Sequence, residues 1–224
     1  MTASLPKSDS AICMPPQRQW HPADWKEYLV LRDGPLQERM KLAFNHGELW
    51  VDRGGEGINH ASVSDLFTLI LGLWAIQNPD QLFTLLGRCL IEKPETQACA
   101  PDLVLYVGEG YPQWCTGEPR RIDLNQWRVP DLVGEISDTT LANDLDEQKH
   151  LYAQLKIPEY WVVDVRGQRV FAFRLQENGQ YKACTHSQVL AGLEITLLEQ
   201  TLQRLNGSTN TSAAAWFAQQ IAQQ

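Results

Sequence analysis

The chain has 224 residues, 43% of them apolar and 21% charged, with a formal charge of −8. That length suits one large domain, and the apolar share excludes a disordered chain. The acidic balance argues against a protein that coats nucleic acid non-specifically, because such binding rests on neutralising phosphates; only a local basic patch or a bound cation would carry that contact. Five scattered cysteines (Cys13, Cys89, Cys99, Cys115, Cys184) form no Cys-x-x-Cys pair. Reduced thiols are therefore expected, not a disulfide framework or a thiolate zinc site. The N-terminus has no signal-peptide core, and the most apolar run, residues 66–76, is too short to span a bilayer. A cytoplasmic location without membrane contact is expected.

Residues 1–22, rich in Ser, Pro and Gln, read as a poorly ordered arm. A domain over 23–205 and a linker with a short C-terminal helix over 206–224 complete the division. "WKEYLVL" (25–31) reads as a short helix, and "RMKLAFNHGELWVD" (39–52) as two strands joined at Asn45-His46-Gly47. After a Gly-rich loop, Val63, Leu66, Phe67, Ile70, Leu73 and Trp74 recur at three- and four-residue steps, which predicts a buried helix. "LFTLLGRCLIEKP" and "PDLVLYVG" read as strands, 109–128 as an irregular insertion, and "PDLVGEIS" as a further strand. "DLDEQKHLYAQLK" predicts a helix whose buried stripe is Leu145, Tyr152 and Leu155. "EYWVVDV" and "RVFAFRL" are strands with a turn at Arg166-Gly167, "ENGQ" is another turn, and 197–205 a late helix. In the tail, Phe217 and Ile221 share a helical face that docks on the domain or on a partner chain. The order predicts an α/β (α+β) fold, a mixed central sheet flanked by helices with an N-terminal hairpin.

The chemistry concentrates around the two Pro-Asp-Leu-Val tetrads, at 101–104 and 130–133. Alternation along the second strand puts Asp131, Val133, Glu135 and Ser137 on one face. A mid-strand Glu135 is costly unless it is paired, metal-bound or exposed at a sheet edge. Asp102 and Asp131, each after a proline, are strand-start punctuation or ligands, with Asp131 the weaker candidate. Asp144 with Glu147 three residues on reads as a capping-box helix start. Lys149 flanks the helix stripe, either snorkelling beside Asp146 or reaching a site. Two acids can hold a hard divalent cation, and an ammonium can balance charge on a phosphorus under attack.

These segments, "NHGELWV" with "INHA", "APDLVLY" and "PDLVGEIS" through "DEQKHLYAQLKIPEYWVVDV", resemble the large bacterial Uma-two family of restriction-endonuclease-like proteins, within the PD-(D/E)xK nuclease superfamily. The likeness spans roughly residues 24–200. It implies a restriction-endonuclease-like fold and a Mg²⁺-dependent DNA endonuclease, with Mn²⁺ as substitute, leaving a 5′-phosphate and a 3′-hydroxyl. Asp102 and Glu135 would hold the metal, Glu48 would be a third metal-side carboxylate, and His60 would open the long helix beside them. Ser137 stands where the short motif would place its lysine, and Lys149 is the position that fits instead. Tyr160 and Trp161 are read as packing. DNA is the implied partner and a homodimer is left open. The competing reading is an inactive nuclease-fold module that binds nucleic acid or protein.

Overall fold

The computed structural model of the chain describes residues 16–35 and 40–223; most of the expected arm, Cys13 included, lies outside the described residues. In chain order the elements are β1 (His21–Pro22), α1 (Trp25–Arg32), β2 (Lys41–Asn45), β3 (Glu48–Asp52), α2 (Ile58–Gln77), β4 (Phe83–Leu85), β5 (Ile91–Lys93), β6 (Gln97–Cys99), β7 (Leu103–Val107), β8 (Ile122–Asp123), β9 (Leu132–Ser137), α3 (Leu141–Leu145), α4 (Glu147–Gln154), β10 (Glu159–Asp164), β11 (Arg169–Leu175), β12 (Tyr181–Cys184), α5 (Ile195–Arg204) and α6 (Asn210–Ile221). The mixed α+β class agrees with the sequence, but the strands form two sheets. One runs β1-β3-β2-β6-β5-β8 and the other β12-β11-β10-β9-β7-β4. The expected hairpin is therefore the nucleus of its own sheet.

Strand alternation divides the core. Leu132 and Ile136 of β9 join α2, α5 and α6 in one cluster, while Val133 joins Ala43, Trp50, Val104, Leu151 and Tyr152 between the two sheets. A third cluster lies under α1, with Tyr28, Leu42, Phe44 and Val51. Buried Glu92 ties α1 to β5 and to the insertion: it accepts from Tyr28 Oη at 2.6 Å and pairs with Arg32 at 2.9 Å and Arg121 at 2.6 Å.

Three local readings change. "LFTLLGRCLIEKP" is two strands in different sheets, split by a turn in which Arg88 adopts φ 63°. A Cβ on Gly87 in that turn would meet the Asp102 carbonyl oxygen at 2.8 Å, so the close approach requires glycine. The helix over 144–156 is broken at Asp146, and Asp144 does not cap it. Its carboxylate instead accepts from Ser137 Oγ at 2.5 Å and Thr140 Oγ1 at 2.6 Å, satisfying a buried acid before satisfying a helix end. The last part of the arm is held: Arg18 pairs with Asp52, and β1 pairs with β3. Among the described residues no helix is long and apolar enough to cross a membrane.

The tail helix α6 docks on α2, with Phe217 fully buried and Ile221 at 5% exposure. Phe217→Ala should therefore cost about 3–5 kcal/mol, the usual range for a large aromatic truncated in a core. Urea unfolding measures it, and a loss below about 1 kcal/mol would show α6 to be peripheral.

Candidate active site

Strands β7 and β9 are antiparallel neighbours with Leu103 opposite Gly134. Continuing that register by one residue sets Asp102 opposite Glu135, so the two acids of the sequence meet because their strands pair. Both are buried, at 5% and 1% exposure. Gly134 keeps the strands close on the other face, where a Cβ would press on the Leu103 side chain at 3.0 Å.

The cation between these acids is Lys41, the first residue of β2. Its Nζ lies 3.1 Å from Asp102 Oδ1 and 2.7 Å from Glu135 Oε2. The second oxygen of each carboxylate is held by the scaffold. Asp102 Oδ2 accepts from the Ile136 N–H at 2.8 Å and meets His60 Nε2 at 3.3 Å. Glu135 Oε1 accepts from Tyr152 Oη at 2.5 Å and Gln148 Nε2 at 3.4 Å. Gln148 and Tyr152, four residues apart on α4, present one helix face to the strand. Asp144 completes a trio of buried acids facing one ammonium.

The constellation opens on a cleft of about 760 Å³ lined by Lys41, Asp102, His60, Asp144 and Gln148. Its rim carries Arg18, Arg53 and Arg88 from three segments, with the Gly54–Gly57 loop between them. Two of these arginines are held by acids of the same cleft, Arg18 by Asp52 at 3.1 Å and Arg88 by Glu56 at 2.7 Å.

Two sequence-predicted residues fall elsewhere. Lys149 points off the stripe: its ammonium lies 4.7 Å from the Phe173 ring centroid. Steps of three and four from Leu145 to Tyr152 pass through 148 or 149 alike, so the stripe spacing alone does not choose between Gln148 and Lys149. Glu48 is exposed at the turn end of the hairpin, paired with Asn45, whereas Lys41 pairs with Asp52 at the other end. Four residues of strand separate Glu48 from that end, about 13 Å at ~3.3 Å per residue. His60 does reach Asp102. Asp131 accepts from the Val107 N–H and pairs with Arg128, away from the cleft. The residues missed by sequence reasoning are Lys41, Gln148 and Tyr152. Only Gln148 and Tyr152 had a periodic signal; Lys41 arrives through packing of one sheet on the other.

The donor set suits a hard divalent cation. Each acid is anchored through one oxygen and presents the other, and those presented oxygens converge. Buried Gln148 Oε1 has no hydrogen-bond partner among the described residues. It is an additional hard donor in the same cleft, because Nε2 must face the carboxylate. Among the described residues no three His, Cys, Asp or Glu side chains form a metal cage. A two-carboxylate site is what Mg²⁺ commonly uses, keeping several of its waters.

A family model described as "Putative restriction endonuclease" (Uma2) matches residues 25–210. A solved structure from Anabaena variabilis ATCC 29413, described as a "putative nuclease belonging to DUF820", is similar in fold, with a TM-score of 0.56. The two sequences are 15% identical, and the match covers 88% of this chain and 99% of that one. No curated protein matches the sequence.

The electrostatics of the trio follow from burial and the single cation. Burial raises Glu135 most, the charges of Asp102 and Asp144 add to it, and Lys41 only partly opposes them, leaving it near 8. Burial also acts to raise Asp102, but Lys41, His60 and the Ile136 N–H outweigh it and hold that acid below the carboxylate range. Burial disfavours the Lys41 charge, yet Asp102 and Glu135 overcome that and raise its pKa. A raised acid binds its proton more tightly folded than unfolded, so stability falls as pH rises between the two pKa values. For metal-free protein, stability should therefore decline from about pH 5 to about pH 8 with a slope approaching ~1.4 kcal/mol per unit, the value for one proton. Asp144, also raised by burial, adds a decline of the same sign that Glu135→Gln leaves in place, whereas Asp102 and Lys41 do not change state in that window. Denaturant unfolding in a chelator checks this; Glu135→Gln should lessen the slope, and an unchanged slope would discount Glu135 as its source.

Proposed function

The chain belongs to the Uma2 family, and from that premise we propose that it is a divalent-metal-dependent nuclease hydrolysing DNA phosphodiester bonds. The observation that carries the reading is the convergence of Asp102, Glu135 and Lys41 on one point at the floor of an arginine-rimmed cleft. Asp102 and Glu135 would hold Mg²⁺ or Mn²⁺, with Gln148 Oε1 as the adjacent donor. Bound there, the ion would supply Lewis-acid polarisation of the phosphate and an acidified water.

The chain's own residues account for the rest. Tyr152 and Gln148 fix the orientation of Glu135, and His60 with the Ile136 N–H fixes Asp102. Lys41 supplies a positive charge to the phosphorane oxygens as negative charge grows on them. Arg18 and Arg88 have exposed guanidinium surface and can exchange their carboxylate partners for backbone phosphates. Cleavage with the usual outcome of the superfamily would leave a 5′-phosphate and a 3′-hydroxyl. One observation favours a second reading, a binding module without activity: every oxygen of Asp102 and Glu135 already has a protein donor.

Incubation with single-stranded, duplex and branched DNA in Mg²⁺ or Mn²⁺ separates the two readings. Cleavage that Glu135→Gln, Asp102→Asn and Lys41→Ala each reduce by about 10²–10³-fold, the scale for removing a preorganised electrostatic group, is expected. Lys149→Ala should stay near wild type. No cleavage of any of these substrates, or full activity in Glu135→Gln, would defeat the nuclease reading.

A further inference from the structure

We propose that Lys41 is the resident counter-cation of the Asp102–Glu135 pair, and that a divalent cation binds there only as the ammonium leaves. Metal loading then delivers the Lys41 charge into the cleft. The inference rests on the metal-dependent reading above and adds a latch to it.

The argument is one of shared oxygens. Asp102 Oδ2 and Glu135 Oε1 are committed to scaffold donors, which leaves Oδ1 and Oε2 as the oxygens presented to a cation. Lys41 Nζ occupies both, at 3.1 and 2.7 Å, distances of charge-assisted hydrogen bonds. A divalent ion would approach the same oxygens to about 2.0–2.1 Å, inside the ammonium's own contact distance. Two cations cannot share that space without strong repulsion. Charge favours the exchange, since Asp102, Glu135 and Asp144 are three buried acids and Lys41 brings one positive charge.

Geometry permits it as well. The Lys41 side chain keeps 33% of its surface exposed and lines the cleft, so its four-carbon stem can swing outward without unpacking β2. In the metal-free protein the ammonium spares the buried acids from facing one another unpaired. In the loaded protein the same ammonium stands where a scissile phosphate would lie. Lys41 is thus positioned for phosphate contact only once the metal is in place, which ties the two requirements of the reaction to one exchange.

The test is metal binding by the full chain, independent of cleavage. Mn²⁺ titration calorimetry should give Lys41→Gln an affinity at least about tenfold above wild type, because its competitor is gone. Equal or weaker affinity overturns the latch while leaving the metal reading intact. Absence of Mn²⁺ binding in both proteins overturns both. Should Lys41→Gln fail to fold, Lys41→Arg serves: its forked guanidinium grips both carboxylates harder, and Mn²⁺ should bind it more weakly than wild type. Binding as tight as wild type in that variant counts against competition. Nitrogen-labelled lysine NMR gives the direct view. The protected Lys41 ammonium signal should be lost to solvent exchange as Mg²⁺ is added, and a signal unchanged at saturation would show that the ammonium stays.

Discussion

The architecture depends on how a carboxylate is buried in the middle of a strand. Glu135 is 1% exposed and Asp102, directly across the ladder, is 5% exposed. Leaving such a pair without a cation would be prohibitive, since desolvation costs several kcal/mol per ion. The ammonium of Lys41 answers it, and Lys41 belongs to the other sheet. One contact therefore couples sheet-to-sheet packing to the chemistry of the cleft. Gly87 and Gly134 serve the same end, allowing a turn to lie on the Asp102 backbone and β7 to lie close to β9. A buried ion pair is weak evidence of stabilisation, because well-packed apolar residues often do as well or better. Its presence at the floor of an open cleft is better explained by use than by stability.

The division between what the sequence discloses and what it withholds follows the range of each interaction. Period-two and period-3.6 patterns are local, so β2, β3, β7, β9, β10, β11 and the long α2 could be read directly. The two acids were also legible, because a charge inside an apolar strand stands out in one dimension. Lys41 was not, since its partners lie 61 and 94 residues away and nothing local separates it from any lysine at a strand start. Glu48 was misplaced because residue type says nothing about which end of a hairpin faces a cleft. Lys149 was misplaced by one residue, about 100° of helix, enough to move a side chain from the strand to the Phe173 ring. The break at Asp146 is hidden because Asp144 followed by Glu147 has the pattern of a helix start, while the Asp144 carboxylate is in fact held by Ser137 and Thr140.

Two further buried glutamates show what is distinctive about Glu135. Glu159 is satisfied by neutral donors alone: the Trp161 indole at 2.7 Å and the Gln188 and Val189 backbone N–H groups at 2.9 and 3.2 Å. Glu92 has the reverse arrangement, with guanidinium groups from Arg32 and Arg121 and the Tyr28 hydroxyl. In both cases each carboxylate oxygen is held by donors of the scaffold. Both are joints: Glu159 fixes the loop before α5, and Glu92 fixes α1 and the insertion to β5. Glu135 has a single ammonium, shared with Asp102 and near Asp144; burial, with the charges of those two acids added, pushes its pKa up to about 8. Every oxygen of the three acids has a donor, yet three acids share one cation. Glu159 keeps its charge on neutral N–H donors that hold both its oxygens; of the three glutamates, only Glu135 has an oxygen whose sole donor is an ammonium shared with a second acid, and there a further cation displaces no scaffold donor.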